Sequence, residues 1–264
     1  MECLDDHSLD STWNAMRKIA KSKMRLDQFL LEFCHINTLK ESRALIMAGK
    51  VLVNEQRVDK AGFLIDGHSD RIKLKKPQAY VSRGGEKLQH AIEVFGLAND
   101  IQGKVAVDIG ASTGGFTHCL LQHTIAKVFA IDVGNHLLHW KLRHDKRVII
   151  NERCHIRDFQ SPDERVDLIV ADISFNSISQ LAPFIFRKEW LITGRFLILI
   201  KPQFELPRNK VPHGGVILDQ SLHDSAIEKV KNQLAQYGLE KAFIESKPKG
   251  RYGNTEFFLY AYRK

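Results

Sequence analysis

The stretch Val105–Phe116, VAVDIGASTGGF, is an apolar run that ends at an acid and breaks into a turn of glycines and small hydroxyl residues. That pattern predicts a buried strand passed through a tight turn into a helix. The chain beyond repeats the alternation. A helix over 85–95 leads into strand 104–109, the glycine turn and helix 115–122. Strand 127–132, helix 135–143 and strand 147–150 follow, then strand 166–172, a helical region over 177–191, strand 195–201 and helix 221–237. Two final strands, within LEKAFIESKP and TEFFLYAYR, have no helix between them and should pair antiparallel. Alternation of this kind predicts an α/β architecture, a Rossmann-like, mostly parallel sheet of seven strands.

Three ligand chemistries compete for the turn. A dinucleotide needs a glycine where the backbone approaches the pyrophosphate, and here Ser112 stands in that place. A hydrolase elbow is formally matched by Gly110-Ala-Ser112-Thr-Gly114, with Asp172 and His213 or His223 downstream. Such an elbow follows several earlier strands of its sheet, whereas this turn follows the first. S-adenosylmethionine explains more residues. Asp108 ends the first strand and suits the amino-acid end of a zwitterion, and Asp132 ends the second, where a carboxylate accepts ribose hydroxyls. Asp172 ends a later strand on the same carboxyl edge. Any one of these acids could be a turn former or helix cap, but three on one edge beside a glycine turn favour a binding site. The cofactor-binding candidates are therefore Asp108, Gly110, Ser112, Gly114, Gly115, Phe116, Asp132 and Asp172.

Ahead of this region the texture differs. Residues 1–16 carry four acids and no Lys or Arg, whereas residues 17–87 carry 16 Lys/Arg against 8 Asp/Glu, an excess equal to the chain's whole net charge of +8. Apolar residues at helical spacing in RLDQFLLEF and LKESRALIMAG, followed by short alternating strands, predict a compact basic α+β unit over 24–77. Gly49 is the expected stop of its second helix. A polar leader over 1–23 and a linker over 78–86, containing Gly84 and Gly85, complete the expected division, with the larger domain over 87–264. A dense basic unit suits a polyanionic partner. The four cysteines are isolated, so neither a metal site nor a disulfide framework is expected. No apolar run is long enough to span a membrane, and a cytoplasmic location is expected.

The segments YVSRGGEKL, DIGASTGGFTHCLLQ, AIDVG, ADISF and LILIKPQFE, in this order, resemble the TlyA family of hemolysins and ribosomal RNA methyltransferases. The resemblance runs from Arg25 onward. It implies an N-terminal RNA-binding domain of the αL type joined to a class I methyltransferase domain of the FtsJ type, acting on cytidine ribose 2′-hydroxyls of ribosomal RNA with S-adenosylmethionine. It also implies a catalytic tetrad: Lys87, Asp172, Lys201 and Glu256 match its members. Arg25, Lys40, Arg43 and Lys50 match the positions of the αL motif that face phosphates. Asp27 is expected to cap the first helix.

The tetrad suits the chemistry. A ribose hydroxyl must lose its proton as it attacks a methyl on sulfur, and Lys201 is the candidate base. A free lysine is protonated at neutral pH, so its alternative role is to stabilise a developing alkoxide as a fixed charge. Two positions depart from the family pattern. His155 stands where the family usually has Asn, at the implied adenine pocket, and is taken with the residues above as a cofactor-binding candidate, and His118 replaces an acid, a change expected to lie on the surface. A membrane-lytic protein and a non-catalytic ribosome-binding factor are the competing functions. Neither the modified subunit nor the oligomeric state is legible.

Overall fold

A computed structural model of the chain describes residues 23–34, 36–74, 79–191 and 194–263. All of the expected leader but Lys23 lies outside the described residues. The chain divides into two compact units, Met1–Pro77 and Gln78–Lys264.

In the first unit, helices α1 (Leu26–Phe33) and α2 (Leu39–Met47) precede a small antiparallel sheet. Its strand β2 (Val51–Val53) lies between β3 (Gln56–Val58) and β5 (Ile72–Leu74). A separate ladder joins β1 (Met24–Arg25) to β4 (Leu64–Ile65). Leu26, Phe29, Leu30 and Ile46 from the helices meet Val51, Val53 and Ile65 in one core, each such side chain contributing about 1.5–3 kcal/mol. Helix α2 is capped by the Thr38 hydroxyl and ends at Gly49, at φ 64°, as its sequence predicts.

Asp27 does not cap α1. It is fully buried, and its carboxylate accepts from Arg25 Nε at 3.0 Å, Arg25 Nη2 at 2.8 Å and Arg43 Nε at 3.0 Å. The Arg25 guanidinium, followed by that of Arg43, holds Asp27 below the usual carboxylate range. Two cations, Arg25 from β1 and Arg43 from α2, fill the lone pairs that a cap would offer to the backbone.

The second unit holds a seven-stranded sheet in the order β11-β12-β10-β9-β6-β7-β8. The strands are β6 (Val105–Ile109), β7 (Lys127–Asp132), β8 (Val148–Glu152), β9 (Leu168–Ala171), β10 (Arg195–Ile200), β11 (Glu240–Glu245) and β12 (Phe257–Tyr262). Strands β6 to β10 pair in parallel, and β12 runs antiparallel to both β10 and β11, as the helix-free C-terminal pair predicts. The chain builds outward from β6 through β7 to β8, then crosses back to place β9 on the other side of β6. Ligands of open α/β sheets bind at such a switch point, outside the carboxyl ends of the strands.

Side chains alternate between two cores, as the pleat requires. Along β10, Leu197 and Leu199 face helices α3 (Arg83–Val94) and α4 (Gly115–Gln122), packing with Leu88, Ile92, Phe116 and Leu120. Phe196, Ile198 and Ile200 face α6 (Ile178–Ile185), which the short α7 (Lys188–Leu191) follows, and α9 (Gln220–Leu234), packing with Leu181, Ile185, Val230 and Leu234.

Three local expectations change. The helix expected over 135–143 shortens to α5 (Trp140–Arg143). Asp132 takes the Gly134 amide at 2.7 Å and His136 adopts φ 54°, a conformation that an α-helix cannot include. Gly84 and Gly85, read as linker, lie in the first turn of α3, where a Cβ on Gly85 would fall 2.2 Å from the Tyr80 ring. His118 is not a free surface residue. Its Nδ1 accepts from the Val81 amide at 3.1 Å and its ring meets Tyr80 edge-on, so it straps the segment ahead of α3 to α4. No helix among the described residues is long and apolar enough to cross a membrane.

Candidate active site

The glycine turn is held from both sides. Below it, Asp108 is fully buried, and its Oδ2 accepts from the Thr117 amide at 2.9 Å and the Thr117 hydroxyl at 2.6 Å. Its Oδ1 is buried without a hydrogen-bond partner among the described residues. Burial, opposed by Thr117 and reinforced by Asp172 and Asp132, raises its pKa to about 7. Beside the turn, Asp132 accepts from the Ser112 amide at 2.7 Å, which keeps Ser112 at φ 49°. Gly110 has φ 80°, and a Cβ there would lie 2.7 Å from the Asp172 carbonyl oxygen. Only glycine lets the turn pass this close to the end of β9.

Two ion pairs stand on the same carboxyl edge. Lys87, 6% exposed on α3, meets Glu256, 3% exposed at the start of β12, with Nζ to Oε2 at 2.6 Å. Lys201, which follows β10, has its Nζ 2.5 Å from Asp172 Oδ1 and donates to Ser174 Oγ at 2.8 Å. Buried charges persist only when paired in this way. Four matched residues, remote in sequence, thus form two close pairs.

A cavity of about 590 Å³ joins these parts, a volume ordinary for a cofactor-sized ligand. Lys87, Gly110, Ser112, Gly115, Phe116, Asp172 and Lys201 line it, and Glu256 is tied to it through Lys87. Asp108, Gly114, Asp132 and His155 do not line it. Asp108 and Asp132 shape the turn from behind. Gly114, at φ 91°, precedes α4 against Leu138 and Leu142. His155 lies apart, its Nδ1 accepting from the Arg157 amide at 3.1 Å. The side-chain-free approach at Gly110, the small residues of the turn and the Asp172 carboxylate on the cavity wall fit a zwitterionic nucleoside such as S-adenosylmethionine.

Several residues escaped the sequence. Ser174 holds Lys201. Phe175, 88% exposed at φ 68°, lies 5.5 Å from the Phe204 ring, which also carries Lys201 Nζ 6.0 Å from its centroid. Glu205, 1% exposed, joins two segments near Asp172 and Lys201. Ser174 and Phe175 close the family segment ADISF, and Phe204 and Glu205 close KPQFE, but neither the contacts of these residues nor a left-handed phenylalanine has a sequence signature.

The model of FtsJ-like methyltransferases matches residues 80–263, and that of the S4 domain matches residues 24–72. Hemolysin A of Brachyspira hyodysenteriae is 38% identical over 90% of this chain and 99% of its own length. The 16S/23S rRNA (cytidine-2′-O)-methyltransferase TlyA of Mycobacterium tuberculosis is 34% identical over 90% of this chain and 89% of its own. A solved structure from Streptococcus thermophilus that carries a hemolysin name superimposes with a TM-score of 0.66 at 34% identity. It covers 92% of this chain and 89% of that one. On the signature of its larger unit and on relatives along nine-tenths of its length, the chain belongs to the FtsJ-like methyltransferase family, as a TlyA-type member with an S4 domain.

Proposed function

We propose that the protein transfers a methyl group from S-adenosylmethionine to the 2′-hydroxyl of a cytidine in ribosomal RNA. The observation that carries this is the pairing of Lys87 with Glu256 and of Lys201 with Asp172 around one cavity beside the glycine turn. The substrate is supported by the S4 match and by the names of relatives, among them the M. tuberculosis rRNA (cytidine-2′-O)-methyltransferase.

The cofactor, when bound, supplies an electrophilic methyl on a sulfonium. The chain's residues do the rest. The glycine turn, held from behind by Asp108 and Asp132, orients the nucleoside through Gly110, Ser112 and Gly115, which line the cavity. Lys201 enters the step as the neutral amine, its own proton released beforehand to solvent, and its Nζ takes the proton from the 2′-hydroxyl as that oxygen attacks. The ammonium so formed is stabilised by Asp172 and Ser174, its neighbours at 2.5 and 2.8 Å. Lys87, fixed by Glu256, adds positive charge where the oxygen develops negative charge. Phe175 offers an exposed ring on which a cytosine turned out of its helix can stack. In the first unit Arg25 and Arg43 are half-exposed, their guanidiniums set by Asp27. With Lys40 and Lys50 they supply cations for RNA phosphates.

Methylation of isolated ribosomal subunits with labelled cofactor, followed by mapping of the modified ribose, tests the proposal. Lys201→Ala should retain cofactor affinity and lose about two to four orders of magnitude in transfer rate. Lys201→Arg should not restore it, because guanidinium does not release its proton. Substantial turnover by the arginine variant would make Lys201 a fixed charge and refute its role as base. Absence of ribose methylation on either subunit would refute the function.

A further inference from the structure

Lys201 and Asp172 leave adjacent strands on separate loops, and nothing in β9 or β10 themselves fixes the distance between the two side chains. One buried carboxylate links the loops. Glu205 Oε2 accepts from the Ser177 hydroxyl at 2.5 Å and the Ser179 hydroxyl at 3.0 Å, while its Oε1 accepts from the Ile178 amide at 2.6 Å. Ser177 is the N-cap residue of α6, and its own side chain caps nothing. Glu205 caps that helix from another segment.

The connections form a closed circuit. Asp172, Ser174 and Phe175 lie on the loop that ends at Ser177. Lys201 heads the single turn α8 (Pro202–Glu205), where the Phe204 amide donates to the Lys201 carbonyl at 2.9 Å. That turn ends at Glu205. The circuit therefore runs from Asp172 to Ser177, through Glu205 and α8 to Lys201, and back to Asp172 and Ser174. Lys229 braces it from α9, with its Nζ 2.5 Å from the Glu205 carbonyl oxygen and 3.8 Å from Oε2. An ionised carboxylate is the group that this site accommodates, since all its close partners are donors and it lies at the start of a helix.

With Asp172 and Lys201 taken as the reacting pair, as proposed above, we infer that Glu205 is a positioning residue that sets the distance and direction of the Lys201 amine relative to Asp172 and the ribose. It touches neither substrate nor cofactor. Its effect belongs in the rate of transfer, because displacement of a reacting group by about an ångström costs on the order of a hundredfold.

Glu205→Gln, which keeps the shape but turns a donor toward donors, is the test. The turnover number at saturating cofactor and ribosomal RNA should fall about ten- to a hundredfold, with cofactor affinity by calorimetry unchanged within twofold. In a Lys201→Ala background, Glu205→Gln should cost nothing further, because the group it positions is gone. Additive losses in the double variant, or unchanged turnover in the single one, would overturn the inference. If Glu205→Gln fails to fold, Ser179→Ala, which removes one of the bonds, should give the same pattern at smaller amplitude, and normal turnover would overturn it. A wild-type protein that methylates no RNA would defeat the functional proposal instead. The clamp is then judged by hydrogen exchange at Ile178 and over residues 173–177, which must accelerate in Glu205→Gln. Unchanged exchange would overturn the clamp on its own.

Discussion

Replacing Asp108 by Asn should make the larger unit more stable at pH 8. Asp108 is fully buried, and burial raises its pKa from 3.8 to about 7. Below pH 3.8 the folded and unfolded chains both hold the proton, and the carboxyl carries no penalty. Between 3.8 and about 7 the unfolded chain releases a proton that the native state keeps, so stability falls by about 1.4 kcal/mol per pH unit. Above pH 7 the loss levels off on the order of 4 kcal/mol. An Asn at this position can accept from the Thr117 amide and hydroxyl through its oxygen, and it never ionises. The assay is urea unfolding followed by tryptophan fluorescence, with Trp190, buried in the larger unit's core, as reporter, from pH 4 to 8. The quantity that matters is the difference between wild type and variant, since other groups titrate in both. That difference should be near zero at pH 4 and should grow to a few kcal/mol in favour of the variant by pH 8. A pH-independent difference would show that Asp108 is not held as a strained acid, and would refute the reasoning.

Charge reversal at Arg43 and Lys50 should lower affinity for ribosomal RNA and flatten its salt dependence by about one counterion per lost phosphate contact, with cofactor affinity unchanged. An unaltered salt slope would remove the first unit as the RNA anchor. His118 is held neutral by burial, which lowers its pKa. As pH falls below about 6.5 the unfolded chain takes up a proton that the native state refuses, and stability drops. His118→Asn, which can keep an acceptor for the Val81 amide, should reduce that loss in pH-dependent thermal melts.

What the sequence made legible was local or periodic. The apolar run before Gly110, the helix stop at Gly49 and the antiparallel C-terminal pair follow from side-chain period and backbone sterics, and the structure contains all three. The tetrad was visible only as a family pattern; its resolution into two close ion pairs needed the sheet order, which brings β9, β10 and β12 side by side. Residues whose role depends on a remote partner gave no signal. Asp27 read as a cap because Asp near a helix start usually is one, and Arg43, sixteen residues away, overrides that preference. Glu205 appeared only as the last residue of LILIKPQFE, with no role, because its partners come from Ser177 and α6. Helix 135–143 was overextended because Asp132 competes for the backbone that would have begun it.

The two ion pairs raise a question of purpose that stability can answer. A buried salt bridge is poor evidence for stabilisation, because desolvation offsets most of the attraction and apolar replacements are often neutral or better. Lys87 and Glu256 are both nearly inaccessible and 2.6 Å apart. Removing one partner, as in Glu256→Leu, should destabilise the larger unit by about 3–5 kcal/mol, because a bare ammonium is left in the protein interior. Removing both, as in Lys87→Met with Glu256→Leu, should recover most of that loss, with shape roughly kept and no charge left buried. If the pair exists for chemistry, the double variant should be folded, as stable as wild type within about 1 kcal/mol, and still unable to transfer methyl groups. Thermal unfolding and the methylation assay, run side by side, separate the outcomes. A double variant that remains as unstable as Glu256→Leu alone would make the pair a structural element. One that regains turnover along with stability would exclude Lys87 and Glu256 from the reaction.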